Sequence, residues 1–199
     1  MNKTGVIYGI NGPVVYLKGN TGFKMSEMVY VGEERLVGEV IGLTKDTTTI
    51  QVFEETTGLK PGAVVEASGD ALSVILGPGI LNNIFDGIER PLSEIARQSG
   101  DYITRGVSVD SLDTKKKWNV HVTVQAGETV SGGTIISETQ ETRSIVHKSM
   151  VPPNLAGTVT WTAPDGEYTI LDPIVKLETE DGTEHTLTLC QKWPIRVPR

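Results

Sequence analysis

The feature that most constrains the fold is a regular alternation of short apolar runs and turns in the first third of the chain. Between Gly5 and Val65 these runs are rich in Val, Ile, Tyr and Thr, and they recur about every ten residues. Asn11-Gly12 separates the first two runs, and Asn-Gly in that setting is a strong hairpin signal. This spacing is typical of small closed barrels and sandwiches. The sequence therefore predicts a compact β-barrel over residues 1–70.

A second β-rich region extends from Trp118 to Leu189. Its first run, WNVHVTV, alternates apolar and polar residues, as expected for a strand with one buried face. Asp165-Gly166 and Asp181-Gly182 are predicted to form tight turns between later runs.

The segment between these regions has a helical pattern. From Leu76 to Ser99 the apolar residues recur at spacings of three and four, which places them on one face of a helix. Pro91 cannot lie inside a helix, because it lacks an N–H and clashes with the preceding turn. The sequence therefore predicts two short helices, the first ending at Gly87 and the second running from Pro91 to near Gly100. The predicted fold class is mainly β, with an amino-terminal β-barrel, a short helical connector and a second β-rich, barrel-sandwich-like domain.

Charge and cysteine content narrow the functional classes. The chain has 18 Lys and Arg against 25 Asp and Glu, a formal net charge of −7. This charge disfavours a nucleic-acid or anionic-membrane surface, because phosphate binding requires clustered cations. The single cysteine, Cys190, cannot form an intrachain disulfide, so we expect an intracellular chain. The sequence shows no signal-peptide pattern and no apolar run of roughly 18 residues that could span a membrane.

Sequence motifs for nucleotide or nucleophile chemistry are absent. The chain contains no G-x-x-x-x-G-K-[ST] loop for phosphates and no G-x-S-x-G nucleophile turn. Gly77-Pro78-Gly79 is too short for a dinucleotide fingerprint, which needs a complete βαβ unit. We therefore predict that this chain has no catalytic residue, no cofactor-binding residue and no metal ligand.

The remaining reactive side chains favour structural or surface roles. His121, His147 and His185 lie far apart in sequence and have no metal-ligand partners at close spacing. Cys190 stands in an apolar run, which favours a small buried side chain over a nucleophile. Lys115-Lys116-Lys117 is predicted to lie in a solvated loop, not to form an anion site.

Two alternative functions remain open. Residues 122–162 have the cadence of a biotinyl or lipoyl carrier domain, which places a modifiable lysine at a hairpin tip. Here the tip lies near Thr139–Arg143, Glu141 stands roughly where the lysine would be, and Lys148 comes later, in the next predicted strand. A free-standing barrel that binds oligonucleotides is the other alternative, although the acidic charge and few aromatic residues disfavour a basic stacking groove.

Several segments, taken together and in order, resemble the amino-terminal part of the catalytic A subunit of V-type and archaeal A-type rotary ATPases. The most specific are LGPGILNNIFDGIERPL, GEYTI and KWPIRVPR. The others are GVIYGINGPVVYLKG, VGEERLVGEVIGL, QVFEETTGLKPG, YITRGV, LDTKKKW, MVPPNLAGTV and GEYTILDPIV.

The resemblance implies a domain layout and an activity for a longer parent protein. It implies a barrel over residues 1–70, a helical connector over 71–110, a bulge domain over 111–189, and a return strand over 190–199 toward a nucleotide-binding domain. No segment here matches the family's P-loop, so we expect a fragment truncated before that domain, inactive alone and without a cofactor. The intact parent would use Mg-ATP to hydrolyse or synthesise ATP, coupled to H⁺ or Na⁺ translocation.

The resemblance also implies partners and a location. The barrel is expected to meet B subunits through flat edges in the crown of an A/B hexamer, and the bulge to contact the stator, or peripheral stalk. We expect no nucleic-acid partner, no direct membrane insertion, and a cytoplasmic location peripheral to the membrane. The apolar face over Leu81–Ile95 predicts weak self-association of the fragment.

Overall fold

The computed structural model describes residues 3–19, 22–81, 83–100 and 104–198. The chain forms two compact units. The first comprises residues 1–74, 85–109 and 193–199, and the second comprises residues 75–84 and 110–192.

The first unit is built around a closed six-stranded barrel. Its hydrogen-bonded order is β1-β2-β5-β4-β3-β6, and β6 pairs with β1 to close the ring. All six pairings are antiparallel. This confirms the predicted amino-terminal β-barrel. The strands are β1 (Thr4–Asn11), β2 (Val14–Lys18), β3 (Glu27–Val31), β4 (Leu36–Leu43), β5 (Thr47–Val52) and β6 (Val64–Ala71).

Alternation of apolar residues along these strands fills the barrel interior. Successive side chains of a strand point to opposite faces, so every second residue enters the core. The Asn11-Gly12 hairpin is confirmed, because Asn11 pairs with Val14 and Gly12 takes the left-handed conformation, at φ 56°. The buried side chains of this core include Ile7, Val15, Leu17, Val29, Val31, Leu36, Val40, Ile50, Val52 and Val65.

The closure contradicts one expectation about assembly. We expected the barrel to meet a neighbour through flat edges, but each described barrel strand has a neighbour on both sides. A sheet edge recruits a partner through unpaired N–H and C=O groups, and a closed barrel removes that edge. Contacts to another protein must therefore use outward-pointing side chains or loops.

Only the second of the two predicted helices forms. Helix α1 spans Leu92–Ser99, with Pro91 at its amino-terminal cap and Gly100 at its carboxy-terminal cap, as predicted. The first predicted helix is wrong, because the described residues between Leu76 and Pro91 form turns and one isolated bridge. In this segment, side-chain carboxylates accept hydrogen bonds from backbone N–H groups. Gly79 also has φ 108°, a backbone conformation that does not occur within a helix.

The second unit contains two four-stranded antiparallel sheets, ordered β11-β10-β8-β13 and β15-β14-β12-β9. They enclose an apolar core that includes Val120, Ile136, Val159, Ile174 and Leu177. This confirms a second β-rich domain of the barrel-sandwich kind. Its strands are β8 (Trp118–Val122), β9 (Thr129–Val130), β10 (Ile135–Gln140), β11 (Val146–Met150), β12 (Gly157–Thr162), β13 (Gly166–Tyr168), β14 (Val175–Glu178) and β15 (Glu184–Leu187). A separate two-stranded sheet pairs β7 (Ser73–Leu76) with β16 (Gln191–Pro194).

One of the two predicted Asp-Gly turns is a hairpin turn and the other is not. Asp181-Gly182 joins the paired strands β14 and β15, with Gly182 at φ 79°. Asp165 is a bend, Gly166 already begins β13, and β12 and β13 belong to different sheets. The prediction of a tight turn there is therefore wrong, because the chain crosses from one sheet to the other at this point.

Candidate functional site

The three histidines do not converge on one site. His121 lies on β8, and its Nδ1 is 2.7 Å from Oδ2 of Asp165. His147 lies on β11, and its Nδ1 is 3.7 Å from Oε2 of Glu141, whereas His185 lies on β15. Within the described ranges, no group of three or more His, Cys, Asp or Glu side chains is arranged to hold a metal ion. The absence of catalytic, cofactor-binding and metal-binding residues stays a prediction.

The His121–Asp165 pair is an exposed electrostatic contact. The hydrogen bond between His121 and Asp165, reinforced by the attraction between their charges, raises the pKa of His121. The Val122 backbone N–H, together with His121, lowers the pKa of Asp165. Both side chains are more than half exposed, so solvent screens the contact. The pair is a surface link between β8 and the segment before β13.

Glu141 lies at the tip of the β10–β11 hairpin, as the sequence predicted, but it does not reach into solvent. Its side chain is only 5% exposed. Its Oε1 accepts the backbone N–H groups of Gly79 and Leu81, at 2.7 and 3.1 Å. Lys148 lies in β11 and forms an ion pair with Glu138 at 3.2 Å. The tip therefore offers no lysine for a carrier arm, and Glu141 instead fixes the Gly79–Leu81 backbone.

The lysine run lies in an exposed loop as predicted, whereas Cys190 is less buried than the sequence predicted. Cys190 is half-buried, and its Sγ lies 3.3 Å from the carbonyl oxygen of Ile170. The lysine run lies in an exposed loop, where Asp113 accepts the N–H groups of Lys115 and Lys116. The Lys116 ammonium sits 3.8 Å from the centre of the Trp118 ring. These contacts order the loop, and the absence of an anion site there stays a prediction.

A buried ion cluster in the first unit was not predicted from the sequence. We call it the Arg90 cluster, and it consists of Glu54, Asp86, Arg90, Gly106 and Val107. Arg90 donates from Nε to Asp86 at 2.7 Å, and from Nη1 to Glu54 at 3.2 Å and to the Val107 carbonyl at 3.0 Å. Glu54 also accepts the N–H of Gly106 at 3.0 Å. The cluster ties three separate chain segments together.

In this cluster, hydrogen bonds and charge attraction together outweigh the effect of burial on the pKa values. Burial alone would raise the pKa of Asp86, but N–H groups of Arg90 and Ile88 and the Arg90 guanidinium hold its pKa below the ordinary value. Burial alone would lower the pKa of Arg90, but the Asp86 and Glu54 carboxylates raise it. Asp86 and Arg90 stand four residues apart, a spacing that hints at a pair. Nothing in the sequence signals Glu54, which lies 36 residues before Arg90.

A second unpredicted ion pair joins the end of the chain to the barrel. Glu39 lies on β4, and the whole residue is only 1% exposed. Arg196 donates to both its oxygens, at 3.0 and 2.6 Å. This bidentate pair raises the pKa of Arg196. This ion pair therefore anchors residues 193–198 to strand β4 of the barrel.

The outer face of the barrel carries exposed apolar side chains. We define the β1/β6 patch as Val6, Tyr8, Tyr16 and Val64. Val6 and Val64 are cross-strand partners, 55% and 46% exposed, and Tyr8 follows Val6 on the same face of β1. The rings of Tyr8 and Tyr16 have centroids 6.2 Å apart. Val64 also lines a neighbouring cleft of about 610 Å³.

None of these described features brings together a nucleophile, a base and an open binding pocket. Within the described residues, no helix is long and apolar enough to cross a membrane.

Two family models match the chain, one for each unit. The model of the ATP synthase alpha/beta family β-barrel domain matches residues 7–69. The model of the ATP synthase alpha/beta subunit barrel-sandwich domain matches residues 109–196. The first match covers the closed barrel, and the second covers the two four-stranded sheets.

Curated relatives match along the whole chain. A V-type ATP synthase alpha chain of Halothermothrix orenii is 49% identical over 100% of this chain and 34% of its own length. The A subunit of the A-type ATP synthase of Methanopyrus kandleri is 51% identical over 98% of this chain and 33% of its own length. Its counterpart in Pyrococcus abyssi is 47% identical over 100% of this chain and 20% of its own length. This chain therefore spans about a third of the first two relatives. It belongs to the ATP synthase alpha/beta family and is similar over its whole length to A subunits of V-type and A-type ATP synthases.

Proposed function

We propose that the chain forms the barrel and barrel-sandwich part of the A subunit of a V-type or A-type ATP synthase, and that this part serves assembly, not catalysis. The observation that carries the proposal is the order of the two matched domains, together with about half identity along the whole chain. The ion clusters support it, because they fix backbone segments and present no reacting group.

The two units have separate tasks in this proposal. The barrel joins B subunits in the crown of an alternating A/B hexamer, and its exposed outer apolar side chains are suited to protein contact. The barrel-sandwich unit contacts the stator, or peripheral stalk. The assembly lies at the cytoplasmic face of the membrane and peripheral to it.

The activity belongs to the longer protein. In this proposal the intact A subunit binds Mg-ATP and hydrolyses or synthesises ATP, coupled to H⁺ or Na⁺ translocation. The present chain contributes no P-loop, since its sequence lacks the G-x-x-x-x-G-K-[ST] motif. We therefore expect it to be inactive alone.

Complex formation tests the assembly role. The chain is mixed with the B subunit of the same organism, and mass is measured by light scattering during size-exclusion chromatography. We expect a hetero-complex with the intact B subunit, but none with a B subunit that lacks its amino-terminal barrel. Equal binding to both forms, or no binding to either, contradicts the assembly role. The same assay with peripheral-stalk subunits tests the stator contact, which fails if no complex elutes.

Calorimetry tests whether this part of the protein binds nucleotide. Titration of the chain with Mg-ATP should release or absorb no binding heat at micromolar concentrations, because no phosphate-binding loop is present. Micromolar binding would show that this part of the protein holds nucleotide, and it would overturn the non-catalytic role.

A further inference from the structure

We infer that the β1/β6 patch is the surface through which this barrel contacts the barrel of a neighbouring B subunit. The inference rests on the proposed function and adds to it a location on the barrel, the side chains involved and the charge that the partner must present.

Barrel closure determines the type of contact. Because each described barrel strand has a neighbour on both sides, the ring presents no full-length edge that a partner strand could extend. A barrel-to-barrel contact must therefore be made between side-chain surfaces. Such contacts place apolar and aromatic residues at the centre and polar residues at the rim.

The β1/β6 patch has the composition of an interface centre. Val6 and Val64 lie directly opposite one another across paired strands, so their exposed methyl groups form a continuous surface. Tyr8 extends this surface along β1 and is 46% exposed. Ile41 is also exposed, but it lies on β4, three strands away from β1 around the barrel. The patch thus combines exposed apolar side chains of two paired strands, whereas Ile41 lies on a different strand of the barrel.

The border of the patch indicates the chemistry of the partner. The Lys18 ammonium lies 5.8 Å from the Tyr8 ring and makes no ion pair among the described residues. On the β6 side, Arg35 lies over the Tyr30 ring and forms a 2.6 Å ion pair with Glu66. Lys18 therefore leaves one side of the patch positive and unneutralised. A partner with an apolar centre and a carboxylate facing Lys18 would complement it.

The same charge and area argue against a second copy of this chain as the occupant. In a two-fold contact the same patch faces itself, which brings two Lys18 side chains toward one interface. A stable interface buries about 800 Å² on each partner, which the four partly exposed side chains of the patch cannot supply alone. The patch is therefore the centre of a contact whose remaining area comes from its surroundings, including the cleft that Val64 lines.

Binding to the B subunit, measured by biolayer interferometry, tests the inference. Val6→Glu places a charge at the centre of the patch, and we expect it to weaken binding at least tenfold. Ile41→Glu is the matched control on β4 and should leave the affinity within about twofold. If Val6→Glu fails to fold, the double variant Val6→Thr with Val64→Thr tests the same surface, because it keeps β-branched residues in both strands. We expect it to weaken binding in the same direction, by a smaller factor.

Charge reversal at Lys18 tests the predicted carboxylate. Lys18→Glu should weaken binding several-fold at low salt, and the difference from the unaltered chain should shrink as salt is added. Equal affinities for the unaltered chain, Val6→Glu and Lys18→Glu would overturn the inference and leave the assembly role intact. Greater loss with Ile41→Glu than with Val6→Glu would place the interface on the β4 side of the barrel and overturn it as well. Failure of the unaltered chain to bind the B subunit would overturn the proposed function itself.

Discussion

Replacing Arg90 with alanine is the sharpest test of what holds the first unit together. Its guanidinium makes three charge-assisted hydrogen bonds, to Asp86, Glu54 and the Val107 carbonyl. The side chains involved are nearly buried, with Arg90 11% and Glu54 7% exposed. Arg90→Ala removes the cation and leaves two carboxylates in that environment without their common partner.

The expected magnitude follows from this burial. Removing one partner of a buried ion pair destabilises a protein by about 3–5 kcal/mol, because the remaining charge is left uncompensated. The slight solvent access of Asp86, 18% exposed, places the estimate at the lower end, about 3 kcal/mol. The same change at Arg97 is a matched control. Arg97 also pairs with a nearby carboxylate, but it is 75% exposed, so its loss should cost at most about 0.5 kcal/mol.

Urea denaturation followed by far-ultraviolet circular dichroism gives the free energies of unfolding. Hydrogen exchange on peptides from β5 and from residues 85–109 shows whether the loss falls on the first unit. We expect Arg90→Ala to be less stable than Arg97→Ala by more than about 2 kcal/mol at pH 7. A difference below about 1 kcal/mol would refute the reasoning, because it would mean that the cluster contributes no more than a surface pair.

The pH dependence of the same variants gives a second test. Because the folded-state pKa of Asp86 lies below its ordinary value, its stabilisation is present above about pH 4 and is lost as the pH falls through the lower folded-state value. Arg90→Ala removes the guanidinium but keeps the backbone N–H groups, so the pKa of Asp86 should be higher than in the unaltered chain. The stability gap between the unaltered chain and Arg90→Ala should therefore narrow below about pH 4. A gap that widens on acidification contradicts this assignment.

Three further predictions concern the second unit and the connector. Glu141→Ala should cost about 1–2 kcal/mol, because the half-buried N–H of Gly79 and the exposed N–H of Leu81 lose a charged acceptor, and it should speed their hydrogen exchange. Glu141→Gln keeps an acceptor and should lose less than half as much. Nuclear magnetic resonance titration should find the pKa of His121 above 6.5, and Asp165→Asn should lower it. Because the folded-state pKa is raised, the pair's contribution to stability is complete below about pH 6.5 and is lost as the pH rises through the folded-state value. Gly157→Ala should cost about 1–3 kcal/mol, because a Cβ there would lie 2.3 Å from a carbonyl oxygen of β14, whereas Gly87→Ala meets no atom within 4 Å and should be neutral in thermal unfolding.

The β-structure was predictable because its signals are local. Asn11-Gly12 and Asp181-Gly182 carry the backbone preferences of their turns in the residues themselves. Asp165-Gly166 has the same composition, yet the chain there passes between sheets. Turn chemistry therefore indicates where the chain bends, whereas the pairing partners of the flanking strands decide whether the bend closes a hairpin.

The ion clusters were not predictable because their partners are distant in sequence. Glu39 stands in a strand that otherwise fits the apolar pattern, and its partner Arg196 is 157 residues away. Glu54 and Arg90 are separated by 36 residues. A single sequence contains the charged residues of such pairs but no information on which of them meet.

The segment LGPGILNNIFDGIERPL shows why its helical periodicity was misleading. Its first half is held within the second unit, where Glu141 accepts the N–H groups of Gly79 and Leu81. Its second half is held within the first unit, where Asp86 accepts N–H groups of Ile88 and Arg90. Gly79, at φ 108°, lies outside the helical region of backbone conformation, and the carboxylates hold the backbone on either side of Phe85 in turns. Spacings of three and four between apolar residues therefore arise here from two separately anchored turns, and only the residues after Pro91, free of such acceptors, become helical.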